Sequence, residues 1–183
     1  MSDSNAPQLL TLPVSETDHI RGRPEAPLTL LEYGDYECDY CGRLYPIVRK
    51  LREHFGDRLR FVFRNFPVAN IHPHASVAAQ AAESAGMQGK FWEMHDLLYE
   101  HQAELAAADL THYALKIGLE PYHFQSDLSS ERFARRVAAD HRSGLASGVT
   151  RTPTFFINGI RFDGKREFGE LAAAIENVEQ TRS

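Results

Sequence analysis

The sequence predicts an α/β fold carrying an inserted helical subdomain. Three observations lead there. A strand–helix–strand run occupies residues 28–64. A block rich in Ala, Glu, His and Leu with helical spacing fills residues 73–147. Strand character then returns at Thr154-Phe155-Phe156-Ile157, and a last amphipathic segment follows.

Leu28-Thr29-Leu30-Leu31-Glu32-Tyr33 is a mostly apolar run stopped by Gly34, the pattern of a buried strand. From Cys38 to Gly56, Leu44, Ile47, Val48, Leu51 and Phe55 recur at three- and four-residue spacing and predict a helix. Pro46 should kink it, and Gly56 should end it. Arg60-Phe61-Val62-Phe63-Arg64 reads as a second strand, completing a βαβ unit. Within the inserted block, helices are expected over 73–85, 91–102, 110–117 and 130–145, with Gly86, Gly89, Gly118 and Pro121 as punctuation. Asn158-Gly159 is a two-residue hairpin signal between residues 154–157 and a return strand at 160–162. Phe168 to Val178 is the last predicted helix. The organisation is thus an N-terminal arm (1–26, polar and broken by prolines, or a loose leading strand), a βαβ half (27–72), the helical insertion (73–147) and a C-terminal ββα half (148–183).

Size and composition bound the function. The chain has 183 residues and 43% hydrophobic content, enough for a core of its own. A formal charge of −5 gives no global case for nucleic-acid binding. No apolar run approaches the length of a membrane span. The first twenty residues hold no Lys or Arg, and their one apolar patch, Leu9 to Val14, is interrupted by Thr11 and Pro13. That is not a secretory signal, so a cytoplasmic location is expected, or a periplasmic one if the chain is a trimmed mature form.

Cys38-Asp39-Tyr40-Cys41 holds the only two cysteines. A disulfide closing so short a loop stabilises little, which favours reversible redox exchange over stapling. Cys38 should sit at the helix N-terminus, where free N–H groups and the dipole favour a thiolate, and act as nucleophile. Cys41, one turn in, should be more buried and act as the resolving thiol. Zinc binding is the competing reading. Its nearest partners would be His72 and His74, but these do not make a typical second ligand pair, and Pro73 between them reads as a helix start, so no metal is expected. His95, His101, His112 and His123 show no metal spacing, and the stripe Phe91, Trp92, Met94, Leu97 and Leu98 reads as core.

Glu32 lies six residues before Cys38 in an apolar strand. Burial there would raise its pKa and suit it to take the proton of Cys41. Asp35, Glu37 and Asp39 crowd the active turn, so a less acidic Cys38 and a more reducing couple are expected. Seven basic residues (Arg43, Arg49, Lys50, Arg52, Arg58, Arg60, Arg64) are expected as the solvated face of one helix and its strand. Thr152-Pro153 enters the third strand, and local sequence alone favours a trans bond.

Taken together, Cys38-x-x-Cys41 after a strand, Pro46 eight residues after the first cysteine, Glu32 six before it, the helical block and Thr152-Pro153 resemble the thioredoxin superfamily, in its DsbA-like branch. The resemblance covers roughly residues 15–178. Ile71-His72-Pro73-His74 and Lys90-Phe91-Trp92-Glu93-Met94-His95 are similar to bacterial DsbA-family domains, some standing alone and some fused to sodium/proton antiporters. It implies a thioredoxin-like fold and a cis Thr152-Pro153 bond packed against the disulfide. It also implies Cys38 as nucleophile, Cys41 as resolving thiol, Glu32 as proton relay, and substrate contact at Thr152 and Pro153, with Asp39 and Tyr40 also expected to meet substrate.

The chain departs from the best-known DsbA enzymes in having Asp39-Tyr40, not Pro-His, between the cysteines. A thiol–disulfide oxidoreductase more reducing than exported DsbA is therefore expected. Its substrates would be protein, peptide or small-molecule thiols and disulfides, with glutathione as an optional thiol co-substrate and a further redox partner. The alternatives are a peptide-binding chaperone module indifferent to its cysteines, and a glutathione-linked transferase or isomerase.

Overall fold

The computed structural model describes residues 7–128 and 130–181. Five strands form one mixed sheet in the order β1-β3-β2-β4-β5. They are β1 (His19–Arg21), β2 (Leu28–Gly34), β3 (Leu59–Asn65), β4 (Thr154–Ile157) and β5 (Ile160–Phe162). β2 and β3 run parallel, with Leu30 opposite Phe61 and Glu32 opposite Phe63. The other neighbouring pairs are antiparallel. Seven helices accompany them among the described residues: α1 (Asp39–Phe55), α2 (Ala75–Met87), α3 (Phe91–Glu100), α4 (Ala107–Lys116), α5 (Pro121–Leu128), α6 (Glu131–Ala146) and α7 (Phe168–Gln180). Helices α2 to α6 fall between β3 and β4, as the βαβ and ββα readings require.

β2 is buried along its whole length, because both faces of the sheet are covered. Strand periodicity divides it. Leu28 and Leu30 join the larger core with Phe61, Phe63, Phe155 and residues of α1, α3 and α7. Leu31 and Tyr33 face the other way, into a smaller core with Val62, Phe66, Val149 and Phe156. Glu32 shares the parity of Leu28 and Leu30, so its carboxyl points into the layer that holds Cys38 and Cys41. Phe63 is fully buried beside Tyr36, His95 and Tyr99. Truncating so large a core ring costs about 3–5 kcal/mol.

α1 runs without interruption from Asp39 to Phe55 through Pro46, and Gly56 closes it with φ of 53°. The Asn158-Gly159 turn has φ of 46° and 83°, the double positive that a two-residue hairpin demands.

Two expectations are corrected. From Gln8 onward the arm is pinned, not loose. β1 pairs with β3, and Leu10 N donates to Gly159 O at 2.8 Å. Arg64 does not belong to a solvated face, being only 1% exposed. It forks onto Asp18 at 2.7 and 3.0 Å and donates to Leu12 O, Pro13 O and the Tyr33 hydroxyl. The inner strand β3 turns this side chain inward, where burial of a guanidinium is offset by five acceptors.

Candidate active site

The site lies at the C-terminal end of β2, where the chain turns into α1. Cys38 is the N-cap of α1 in an extended conformation (φ −78°, ψ 116°), and its carbonyl accepts from Gly42 N at 3.1 Å. Cys41 is one turn further in. Both are free thiols, 5% and 1% exposed, so the deeper one is Cys41, as the spacing predicts. The Cys38 thiol donates to Thr152 O at 3.5 Å, and the Thr152-Pro153 bond is cis.

The three titratable groups are pushed apart by their surroundings. The Cys38 thiol falls from 9.0 to about 5, chiefly because the Cys41 thiol hydrogen-bonds to its thiolate. Thr152 and the backbone N–H groups of Cys41 and Tyr40 add to this and together outweigh burial. Burial pushes the Cys41 thiol well up, and the Cys38 bond and the Glu32 charge add to it. Burial also lifts Glu32 to about 8, with a smaller contribution from Cys38. Glu32 is 3% exposed, and its Oε1 has no hydrogen-bond partner among the described residues. Near neutral pH the site therefore holds one thiolate, one thiol and a carboxyl that keeps its proton.

The expectation that nearby acids would make Cys38 a weaker acid is overturned, because two of the three acids are occupied. Asp35 is buried and accepts from Glu37 N, Val68 N and His72 Nδ1, each at 2.8 Å. Glu37 accepts from His74 N at 2.6 Å and His74 Nδ1 at 2.9 Å. Desolvation works against a charged Glu37, but the His74 hydrogen bonds and charge together outweigh it and hold the carboxyl below its usual range. Desolvation works against a charged His72, but Asp35 overcomes it and raises the imidazole. Asp39 is exposed at the start of α1. The candidate zinc ligands His72 and His74 are thus the partners of two carboxylates. Among the described residues no group of three or more His, Cys, Asp or Glu side chains is arranged to hold a metal.

A groove of about 540 Å³ opens at Cys38, lined by Asp39, Tyr40, Val68, Ile71 and Thr152 among others. Tyr40 and Ile71 are each 64% exposed beside it. The structure thus gathers Cys38, Asp39, Tyr40 and Thr152 on one opening. Pro153 lines a smaller neighbouring cavity together with Tyr40 and Thr152. Cys41 and Glu32 lie behind, in the core.

One positioning residue escaped the sequence reading. Gln102, just past α3, donates through Nε2 to Tyr36 O at 2.7 Å and Cys38 O at 3.1 Å. A Cβ on Gly42 would collide with that amide, so glycine after Cys41 makes room for the brace. Gly42 was the one local sign of it. Behind the turn, the Tyr36 hydroxyl and His95 Nδ1 share a hydrogen bond of 3.1 Å, and burial drives His95 down to about 3, leaving a neutral imidazole.

A two-faced mixed sheet, a thiolate capping a helix and a cis-proline beside it define a thioredoxin-like protein. Comparison with known proteins agrees. The family model described as Thioredoxin matches residues 14–177. The chain is 48% identical over 170 residues to a protein of Salinispora arenicola named Na(+)/H(+) antiporter NhaA 1, covering 92% of this chain and 26% of that one. The chain spans about a quarter of the length of the curated relatives it matches, with 26% also for those of Salinispora tropica and Mycolicibacterium gilvum. A thioredoxin-like oxidoreductase from Silicibacter pomeroyi superposes with a TM-score of 0.81 at 25% identity, covering 91% of this chain and 94% of that one. The α-DsbA1 of Wolbachia pipientis shares the fold with a TM-score of 0.80 at 20% identity, covering 94% and 95%. The chain belongs to the thioredoxin family and has its DsbA-like fold. Among the described residues no helix is long and apolar enough to cross a membrane.

Proposed function

We propose that the chain is a thiol–disulfide oxidoreductase working through Cys38 and Cys41. The observation that carries this is the division of labour between the two thiols. Cys38, at an open groove, is held as a thiolate near pH 5, while Cys41, buried one turn away, keeps its proton. In the reducing direction the Cys38 thiolate attacks one sulfur of a substrate disulfide. The substrate S–S bond breaks, the departing sulfur takes a proton, and a mixed disulfide forms. Formation of the mixed disulfide removes the Cys38 charge that helps keep Glu32 protonated; once Glu32 has released its own proton, Cys41 gives its proton to that carboxylate and attacks Cys38 Sγ, releasing the second substrate sulfur, which takes up a proton, and leaving the Cys38–Cys41 disulfide. Two electrons pass to the substrate, and the reverse sequence oxidises a dithiol. With a pKa of about 8, Glu32 is ionised in about a tenth of molecules at pH 7, and in that form it is basic enough to take the Cys41 proton. Thr152, Pro153, Tyr40 and Asp39 contact the substrate chain.

A stabilised thiolate stabilises the reduced form and makes a couple more oxidising. A thiol near 5 lies between the values of about 7 for thioredoxin and about 3.5 for DsbA. A couple between about −270 and about −120 mV is therefore expected, more reducing than exported DsbA. Equilibration against glutathione buffers, read by thiol alkylation, tests this. Failure to form an intramolecular disulfide, or retention of exchange activity in Cys38→Ser, would remove the proposal.

A further inference from the structure

Next to the groove, and sharing Tyr40, Arg151 and Thr152 with it, lies a second cavity of about 390 Å³ completed by Pro153 and Arg166. Arg151 immediately precedes the cis-proline pair, and Arg166 sits on the loop between β5 and α7. Neither guanidinium makes an ion pair or a hydrogen bond with another described residue, and Arg166 Nε is buried with no partner. The nearby acid is already taken, since Asp163 accepts from Arg161 Nε at 2.9 Å. Arg161 is further fixed by Gln8 and by Gly148 O. Two cations therefore face one cavity with no ion pair to either among the described residues, on a chain whose net charge is −5. Burial, and after it repulsion from Arg151 and Arg161, disfavour the charged form of Arg166 and outweigh the attraction of Asp163 and Cys41. The Cys38 thiolate is held chiefly by Cys41, Thr152 and backbone N–H groups, so it supplies no need for these cations.

We propose that Arg151 and Arg166 form a subsite for a carboxylate carried by the thiol or disulfide substrate, beside the sulfur that Cys38 attacks. A guanidinium offers the planar fork that a carboxylate matches, and such charge-assisted bonds are about twice as strong as neutral ones. A bound carboxylate would offset the repulsion between the two guanidinium groups. The shared chemistry is a carboxylate, carried either on an acidic side chain of a polypeptide or as the free carboxylate of a small peptide thiol, and the test separates the two. The inference rests on the exchange activity proposed above.

The test uses the reduced full chain and two matched pairs of disulfide probes. One pair is a cystine peptide with Glu, or with Gln, beside the cysteine. The other is glutathione disulfide and its ethyl ester. The expected result is an acid-over-neutral rate ratio of about 10 in at least one pair, falling toward one in Arg151→Gln and Arg166→Gln while Cys38 titrates as in the unaltered chain. The pair that shows the preference identifies the source of the carboxylate. Equal rates within both pairs would overturn the subsite and leave the exchange activity standing. A preference that survives both substitutions would overturn it too, as would a Cys38 titration shifted by them. No exchange with any probe would overturn the exchange activity itself, and the subsite with it.

Discussion

Replacing Cys41 with alanine should raise the Cys38 thiol from about 5 to between about 6 and 7. Cys41 is buried and keeps its proton, so its S–H is the leading donor to the Cys38 thiolate. A hydrogen bond to a charged group is worth about 1.5–3 kcal/mol, and a weak S–H donor belongs at the low end. At 1.36 kcal/mol per pKa unit that is about one to two units. The rest of the depression stays, because Thr152 and the N–H groups of Tyr40 and residue 41 survive the substitution. At pH 6 the thiolate fraction of Cys38 should fall from about nine-tenths to about a quarter, taking a midpoint of about 6.5 for the variant. Ultraviolet thiolate absorbance and the pH profile of iodoacetamide alkylation both read this midpoint. A variant that still titrates near 5 would show that Cys41 is not the donor. One that returns to 9 would show that the helix terminus and Thr152 contribute nothing.

Three further outcomes are expected. Glu32 is raised from 4.5 to about 8, so the folded state prefers its neutral form; stability is fullest below pH 4.5 and declines as pH climbs to 8. Glu32→Gln should remove that decline and add about 3 kcal/mol at pH 7, with little change at pH 4; thermal melts at the two pH values check it, and parallel shifts would contradict it. His72→Ala leaves the buried Asp35 with backbone donors alone and should cost about 1–2 kcal/mol while moving the Cys38 titration upward, which denaturant unfolding and alkylation profiles would register. Arg64→Met strands Asp18 and frees the arm, so it should cost about 3–5 kcal/mol and expose residues before His19 to protease; an unchanged cleavage pattern would mean that β1 alone holds the arm.

What was readable in the sequence was what local pattern encodes. The βαβ unit, the Asn158-Gly159 hairpin and the depth of Cys41 relative to Cys38 follow from periodicity and turn chemistry, and the fold agrees. β1 was not readable as a firm strand, because His19-Ile20-Arg21 becomes one only by pairing with Phe61, Val62 and Phe63. α5 was missed because Pro121 was taken as punctuation, whereas it is the first residue of that helix, where a missing N–H costs nothing. The error over Cys38 came from counting Asp35 and Glu37 as bare charges. Their partners His72 and His74 lie 37 residues away in sequence, and no local pattern joins them. The inward turn of Arg64 has the same origin, since Asp18 is 46 residues distant.

The Gln102 amide has a consequence for how such domains can be altered. It is one clasp by which the helical insertion grips the redox turn, holding two of its carbonyls at once, beside the Tyr36–His95 and Glu37–His74 bonds. The insertion is therefore not a detachable cassette. A shortened chain that closed the gap between β3 and β4 with a plain loop would keep the cysteines, the proline and Glu32, yet lose the strut that aims Cys38 at the groove. Any miniature of this domain must supply a donor in its place, or accept a turn that swings.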